Sequence, residues 1–255
     1  MNLIANYVDF SAHQCLPAVL RWCDTAGIYP LSLLDAETRA QLLETWSRYS
    51  VMRSIQMEVH VRGHQWERLL ANSCTGTMVR VQPMITRLGR TSYTVRNEVT
   101  SSSLPLATVE TVMVQLDESL SKSVPLSCSE QLKSILKPQS TATGIRCPVA
   151  GKRPSACFSW GCEVRPSDCD LLGHMNNASY ITLVEDARRA AGLTFDVQVA
   201  SIEYLLQAKA FELLQIALWR DQPSAQGQSV IGYEMKGEQG LVARGSLVSF
   251  LEAKL

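Results

Sequence analysis

The chain repeats one pattern of strands, and this repeat restricts its fold more than any other feature. Residues 106–117 align without gaps with residues 241–252, and both segments alternate apolar with other residues and end in an acid. Another alternating segment precedes each of them, at residues 92–99 and 229–235. Alternation with period two is typical of strands, and two such strands joined by a short polar turn form an antiparallel hairpin. The sequence therefore predicts the same hairpin in each of two similar halves.

The beginnings of the two halves also correspond. Asp9 and His13 have the same spacing as Asp170 and His174. A stretch with helical spacing of apolar residues follows each pair and ends at a glycine, which frequently stands just past the last turn of a helix. Each half is therefore expected to begin with an Asp-x-x-x-His segment that leads into one helix.

A polar segment separates the halves. Residues 121–155 are rich in Ser, Thr, Pro and Lys, which favours a linker. We therefore predict an N-terminal domain over residues 1–120 and a C-terminal domain over residues 156–255. Each domain is expected to be α+β, with one long helix wrapped by a curved antiparallel sheet. The two tandem domains would pair as a pseudo-dimer within the chain, and two chains are candidates for a homodimer.

The composition disfavours several classes of function. The chain has 24 Lys and Arg residues against 24 Asp and Glu residues, so its charge does not favour a nucleic-acid partner. It lacks both the run of roughly 18 apolar residues that a membrane span needs and a secretory signal. The 8 cysteines are irregularly spaced, which favours a reducing compartment. We expect a cytoplasmic protein, or an organellar one after removal of a targeting peptide.

Unusual polar residues are concentrated just before the second predicted helix, at Asp170, His174, Asn176 and Asn177. A helix N-terminus provides unpaired N–H groups and the positive end of the helix dipole. Hydrolysis of a thioester needs a base, a water or other nucleophile, and donors where the carbonyl oxygen gains charge. An acid, an imidazole and two amides at one helix terminus fit these needs. The alternative without a catalytic role is that an Asp or Asn here only caps the helix.

The order Asp-x-Asp-x-x-Gly-His-x-Asn-Asn-x-x-Tyr, from Asp168 to Tyr180, resembles the motif of hotdog-fold thioesterases. It is similar to the 4-hydroxybenzoyl-CoA thioesterase-like group and to the acyl-ACP thioesterases. The resemblance implies two tandem hotdog domains that hydrolyse acyl-CoA or acyl-ACP without a metal or another cofactor. It implies that Asp170 acts as nucleophile or general base and that His174 orients groups or carries protons. The implied substrate-binding residues are Asn176, Asn177, Tyr180, Glu203 and Gln207.

Two positions depart from the pattern of the acyl-ACP thioesterases. Leu172 stands where those enzymes carry Asn, and Gln207 stands where they carry an acid on the strand after the helix. An amide cannot act as a base. Activation of water then falls to Asp170 alone, unless Glu203 or Glu58 substitutes for the missing acid.

The departures keep other functions open. The first half retains Asp9 and His13 but lacks the Asn pair, so it is interpreted as a second, degenerate site. One alternative is therefore a non-catalytic protein that binds acyl thioesters or serves as a scaffold. A hotdog hydratase or dehydratase is another alternative, although the Asn pair disfavours it.

Glu185 and Arg188 stand three residues apart on the second predicted helix. Residues with this spacing are neighbours on a helix surface and can form an ion pair. The sequence predicts a surface pair without a role in the site.

Overall fold

The structure of the chain, a computed structural model, describes residues 2–5, 15–26, 50–62, 65, 77–119, 121–126, 133, 144–148, 150–170, 173–223 and 227–250. Within these ranges the helices are α1 (Cys15–Ala26) and α2 (Asn177–Ala190), and a 3₁₀ turn spans Pro166–Asp168. The strands are β1 (Asn2–Ala5), β2 (Ser50–Val59), β3 (Thr77–Leu88), β4 (Ser92–Ser101), β5 (Leu104–Gln115), β6 (Phe158–Glu163), β7 (Val197–Tyr204), β8 (Leu213–Arg220), β9 (Val230–Gly237) and β10 (Gly240–Ser249).

These strands form one 10-stranded sheet in the order β1-β3-β4-β5-β2-β7-β10-β9-β8-β6. Every neighbouring pair is antiparallel. The strands of the first half lie on one side of the β2–β7 pair, and those of the second half lie on the other side. At this central pair, Ser54 lies opposite Glu203 and Glu58 lies opposite Val199.

The prediction of two tandem hotdog domains, each with a long helix wrapped by its own sheet, is wrong. The described chain forms one large sheet, and its helices have only 12 and 14 residues. The physical reason lies at β2 and β7, which would each expose unpaired backbone N–H and C=O groups if the halves had separate sheets. Pairing the two strands satisfies both edges and joins the sheets.

The two predicted hairpins are confirmed as β4–β5 and β9–β10. The β4–β5 turn is made by Ser102 and Ser103, whose φ angles are 46° and 72°. Positive φ at both central residues matches the right-handed twist of the adjoining strands, which favours this kind of turn in tight hairpins. In the second hairpin the turn ends at Gly240, whose φ of 124° is accessible to glycine.

One face of the sheet carries the main hydrophobic core. The predicted stripe of α1 is buried there, including Leu16, Val19, Leu20 and Cys23. The helix α2 buries Ile181 and its neighbours in the same cluster, and strands from both halves complete it. A core shared between the halves follows from the continuous sheet.

Residues 144–148 and 150–153, which come from the predicted linker, lie on the opposite, outer face. Ile145 covers a second apolar cluster with Val199, Val230 and Val248. The Ile145 N–H donates to a Glu110 carboxylate oxygen at 3.2 Å. These contacts attach the segment to strands of both halves.

Among the described residues, no helix has both the length and the apolar character needed to cross a membrane.

Candidate active site

A tight turn holds the Asp170 side chain against the backbone of His174. The Asp170 N–H donates to the His174 carbonyl at 2.8 Å, and the Gly173 N–H donates to the Asp170 carbonyl at 3.0 Å. The His174 N–H donates to Asp170 Oδ1 at 3.2 Å. Gly173 has a φ of 77°, which residues with a Cβ adopt only at a cost, so the turn requires the motif glycine. The carboxylate is thereby oriented while Asp170 stays exposed.

The helix α2 begins directly after this turn, and Asn176 is its N-cap. The Asn176 side-chain oxygen accepts from the Ala178 N–H at 2.9 Å, and its own N–H donates to the Asp168 carbonyl at 2.8 Å. Asn176 thus uses its side chain for the helix. Neither the backbone N–H nor the side-chain amide of Asn177 has a hydrogen-bond partner in the described part of the chain. Asn177 therefore provides the unpaired donors at this terminus.

Two tyrosines fix the start of α2. Tyr180 is only 3% exposed, and its hydroxyl oxygen accepts from the Ala208 N–H at 3.0 Å. The Tyr204 hydroxyl donates to the Asn177 carbonyl at 3.1 Å, and the two rings meet edge to face at 5.2 Å. Burial raises the pKa of Tyr180, so its phenol stays protonated at neutral pH. Tyr204 was missed at the sequence level, where its alternation with Ile202 indicated only burial.

The loop between β7 and β8 lies beside the motif. The Met175 N–H donates to the Ala208 carbonyl at 2.8 Å, and His174 forms an antiparallel bridge with Lys209. In this register Gln207 lies across from Asn176, and Gln207 is exposed. The structure therefore brings Gln207 to the same edge as the motif. The His174 ring has no hydrogen-bond partner among the described residues.

Glu203 and Glu58 do not join this site. The Glu203 carboxylate pairs with Arg53 at 2.8 Å and with Arg244 at 2.7 Å. Because successive side chains of a strand point to opposite faces, Glu203 lies on the face opposite to Tyr204 and α2. Glu58 stands between the core residues Met57 and Val59 on β2, and by the same alternation it lies on the outer face. The sheet separates both acids from Asp170.

The prediction of a surface pair at Glu185 and Arg188 is wrong, because both residues are buried, at 5% and 7% exposure. Arg188 binds both carboxylate oxygens of Glu185, at 3.0 and 2.7 Å. It also donates to the carbonyls of Leu193 and Phe195 at 2.6 and 2.8 Å. The pair thus ties the C-terminal end of α2 to the chain that follows it.

Asp9, His13 and Leu172 lie outside the described residues, so the second, degenerate site stays a prediction. Within the described ranges, no group of three or more His, Cys, Asp or Glu side chains could hold a metal ion.

The terminus of α2 combines groups that suit acyl chemistry. Asp170 offers an oriented, exposed carboxylate, and the positive end of the helix dipole lies next to it. Asn177 offers N–H donors that can bind an oxygen that gains negative charge. His174 adds an imidazole, whose ring nitrogens can accept or donate a proton. A base, donors and a proton carrier therefore lie at one end of one helix.

Comparison with known proteins matches residues 151–242 to the acyl-ACP thioesterase C-terminal domain. This range includes the turn at Asp170, all of α2 and the loop that carries Gln207. No curated protein sequence matches the chain.

Solved structures of thioesterases share the fold along nearly the whole chain. A protein from Lactobacillus plantarum described as an oleoyl thioesterase superposes with a TM-score of 0.74 at 12% identity, covering 99% of this chain and 96% of that one. An acyl-ACP thioesterase from Bacteroides thetaiotaomicron gives 0.70 at 15% identity, with 97% and 96% covered. The 12:0-ACP thioesterase from Umbellularia californica gives 0.71 at 13% identity, with 97% and 95% covered. At such identities the likeness shows a common fold.

Proposed function

We propose that this chain hydrolyses acyl thioesters at the N-terminus of α2. The observation that carries the proposal is the turn that holds the Asp170 carboxylate on the His174 N–H, three residues before Asn177 at the start of α2. The match to the acyl-ACP thioesterase C-terminal domain covers the same residues and supports this chemistry. The fold shared with solved thioesterases agrees with it.

In the proposed reaction, Asp170 accepts a proton from water while the water oxygen bonds to the thioester carbonyl carbon. The carbonyl oxygen becomes negative and accepts hydrogen bonds from Asn177, and the helix dipole stabilises the same charge. The carbon–sulfur bond then breaks, and the leaving sulfur takes up the proton that Asp170 received. The products are a carboxylic acid and a free thiol, and Asp170 is ionised again.

A covalent route uses the same residues. An Asp170 oxygen bonds to the carbonyl carbon, the thiolate leaves, and water hydrolyses the resulting mixed anhydride. His174 would protonate the leaving sulfur in this route, because Asp170 holds no proton. Both routes need no metal, and in both Tyr180 and Gln207 border the acyl group.

We assign the substrate as an acyl-CoA or an acyl-ACP. The acyl-ACP thioesterase domain that matches residues 151–242 supports this class. The exposure of Asp170 also fits a thioester presented from outside.

A non-catalytic protein that binds acyl thioesters is the second candidate. Glu203, one of two candidates to substitute for the acid missing at position 207, is held by two arginines on the other face of the sheet. Asp170 is then the single carboxylate assigned to the reaction. A binding protein would keep the donors of Asn177 without turnover.

The experiment is release of free thiol from short, long and aromatic acyl-CoAs and from acyl-ACPs, with Asp170→Asn alongside. General-base catalysis contributes roughly 10²–10⁴-fold, so Asp170→Asn should lose turnover by that factor while substrate binding persists. Saturable binding of a long acyl-CoA with no turnover on any substrate would favour the binding protein instead.

A further inference from the structure

A groove with a volume of about 400 Å³ lies at the other end of α2 from Asp170. Its walls come from the C-terminal end of α2, the end of β8, and the chain that leads into β6. The lining residues are Pro154, Ala156, Cys157, Phe158, Ala191, Leu193, Leu218, Trp219 and Arg220. Small-molecule sites typically have volumes of about 300–1,000 Å³ and mostly apolar walls with a few polar groups. The groove has this size and this lining.

The register of two strands explains why the groove is open. Phe158 is the first residue of β6 and lies opposite Leu218, so β8 extends two residues further, to Trp219 and Arg220, without a partner on that side. The Trp219 indole lies against Gly232, where a Cβ would collide with it. Phe158 is 38% exposed and lies on β6, the edge strand of the sheet. An apolar wall is therefore left open at the sheet edge.

Arg220 is the charged residue of this lining. It is exposed, and its guanidinium forms no ion pair within the described residues. The neighbouring Asp221 is engaged otherwise, because its carboxylate accepts from the backbone N–H groups of Gly151 and Gln222. The Trp219 indole nitrogen is closed off from solvent, so it does not offer a donor to the groove. Arg220 thus places a positive charge at the apolar groove.

The groove is separate from the active site. The helix α2 has 14 residues between them, which at a rise of 1.5 Å per residue corresponds to about 20 Å. A molecule in the groove therefore does not touch Asp170.

We propose that this groove binds a medium-chain fatty acid, with the carboxylate at Arg220 and the hydrocarbon chain along Phe158 and Leu193. Apolar walls favour burial of the chain, and a guanidinium that forms no ion pair with the described residues favours a carboxylate at the rim. This inference rests on the groove alone. If the proposed hydrolysis also holds, the ligand belongs to the same chemical class as the reaction product. The groove would then bind product at a distance from the site of hydrolysis.

The probe is decanoate, with decan-1-ol as the uncharged control. Cys157 lines the groove and has a free thiol, so the rate of its alkylation, read from the mass of its peptide, reports occupancy. Calorimetry gives the affinity. Arg220→Gln should weaken decanoate binding by about fivefold, the size expected for one exposed charge contact of about 1 kcal/mol. Lys236→Gln removes another exposed strand cation outside the groove and should change nothing.

Two further variants separate this site from the active site. Asp170→Asn should bind decanoate as the unmodified chain does, whereas Ala156→Trp, an exposed position in the lining, should fill the groove and abolish binding. Decanoate that slows Cys157 alkylation in the unmodified chain and in Asp170→Asn supports the proposal. Unchanged alkylation at millimolar decanoate, equal protection by decan-1-ol, or full affinity in Ala156→Trp would each overturn it. None of these results depends on thioester turnover.

Discussion

Removing the hydroxyl of Tyr180 should destabilise the chain more than removing the hydroxyl of Tyr204. In Tyr180→Phe the Ala208 N–H loses its acceptor in a buried place, and an unsatisfied buried donor costs about 1–3 kcal/mol. In Tyr204→Phe the Asn177 carbonyl loses one donor but keeps its place in the first turn of α2, so we expect about 0.5–1 kcal/mol. The edge-to-face contact of the rings stays in both variants, so the comparison isolates the hydroxyl groups.

Urea unfolding followed by circular dichroism measures both free energies of unfolding, and thiol release measures the effect on the site. Tyr180→Phe also frees the loop that carries Gln207, so its turnover should fall more than that of Tyr204→Phe. Equal losses of stability within about 0.3 kcal/mol, or a larger loss in Tyr204→Phe, would refute the assignment of Ala208 as the group that depends on Tyr180.

Three other predictions concern the buried ion pair of α2, the turn at Gly173 and the thiol of Cys162. Arg188→Met leaves the Glu185 carboxylate buried without its partner and should cost about 3–5 kcal/mol in urea unfolding, part of which the added change Glu185→Gln should restore. Gly173→Ala meets no neighbouring atom but must adopt a φ of 77°, so it should lose about 1–2 kcal/mol and most thioester turnover. Gly227→Ala is the control, because Gly227 has a φ of 80° and an added Cβ there also meets no atom, so it should lose similar stability and keep full turnover. A Gly173→Ala variant with full turnover would contradict the role of the turn. Burial and nearby acids raise the pKa of Cys162 from 9.0 to about 11, so the folded chain holds this proton more tightly than the unfolded chain. The free energy of unfolding should therefore fall as the pH rises from 9 to 11, and Cys162→Ala should show a smaller fall in the same titration.

The hairpins and helices could be predicted from the sequence because each depends on residues that are close together in the chain. The period-two segments became the hairpins β4–β5 and β9–β10, and the helical stretches became α1 and α2. The polar cluster was correctly placed at the start of α2, although Asn177 is already its first residue. The Gly173 turn and the Asn176 cap use short-range hydrogen bonds, which short-range patterns can indicate.

The joining of the two sheets was not predictable in the same way. It depends on pairing between Arg53 and Ser54 on one strand and Glu203 and Tyr204 on another, about 150 positions along the chain. Alternation assigns a residue to a face but does not identify its partner strand. For the same reason the sequence did not predict the contact of Tyr204 with Asn177. The position of Glu203 could have been predicted, because its alternation with Ile202 and Tyr204 already placed it on the outer face. The linker boundaries, the cytoplasmic location and the homodimer stay predictions.

Turnover of Asp170→Asn beside Asp168→Asn tests the central claim most directly. Both acids lie in one loop, but Asp168 uses its carboxylate to accept the Arg165 N–H at 2.9 Å, which an Asn side chain can also accept. On the best acyl thioester, Asp170→Asn should lose roughly 10²–10⁴-fold in kcat with substrate affinity retained, and Asp168→Asn should stay near the unmodified rate. Equal turnover in the two variants, or a joint loss of binding and turnover in Asp170→Asn alone, would contradict a catalytic role for Asp170.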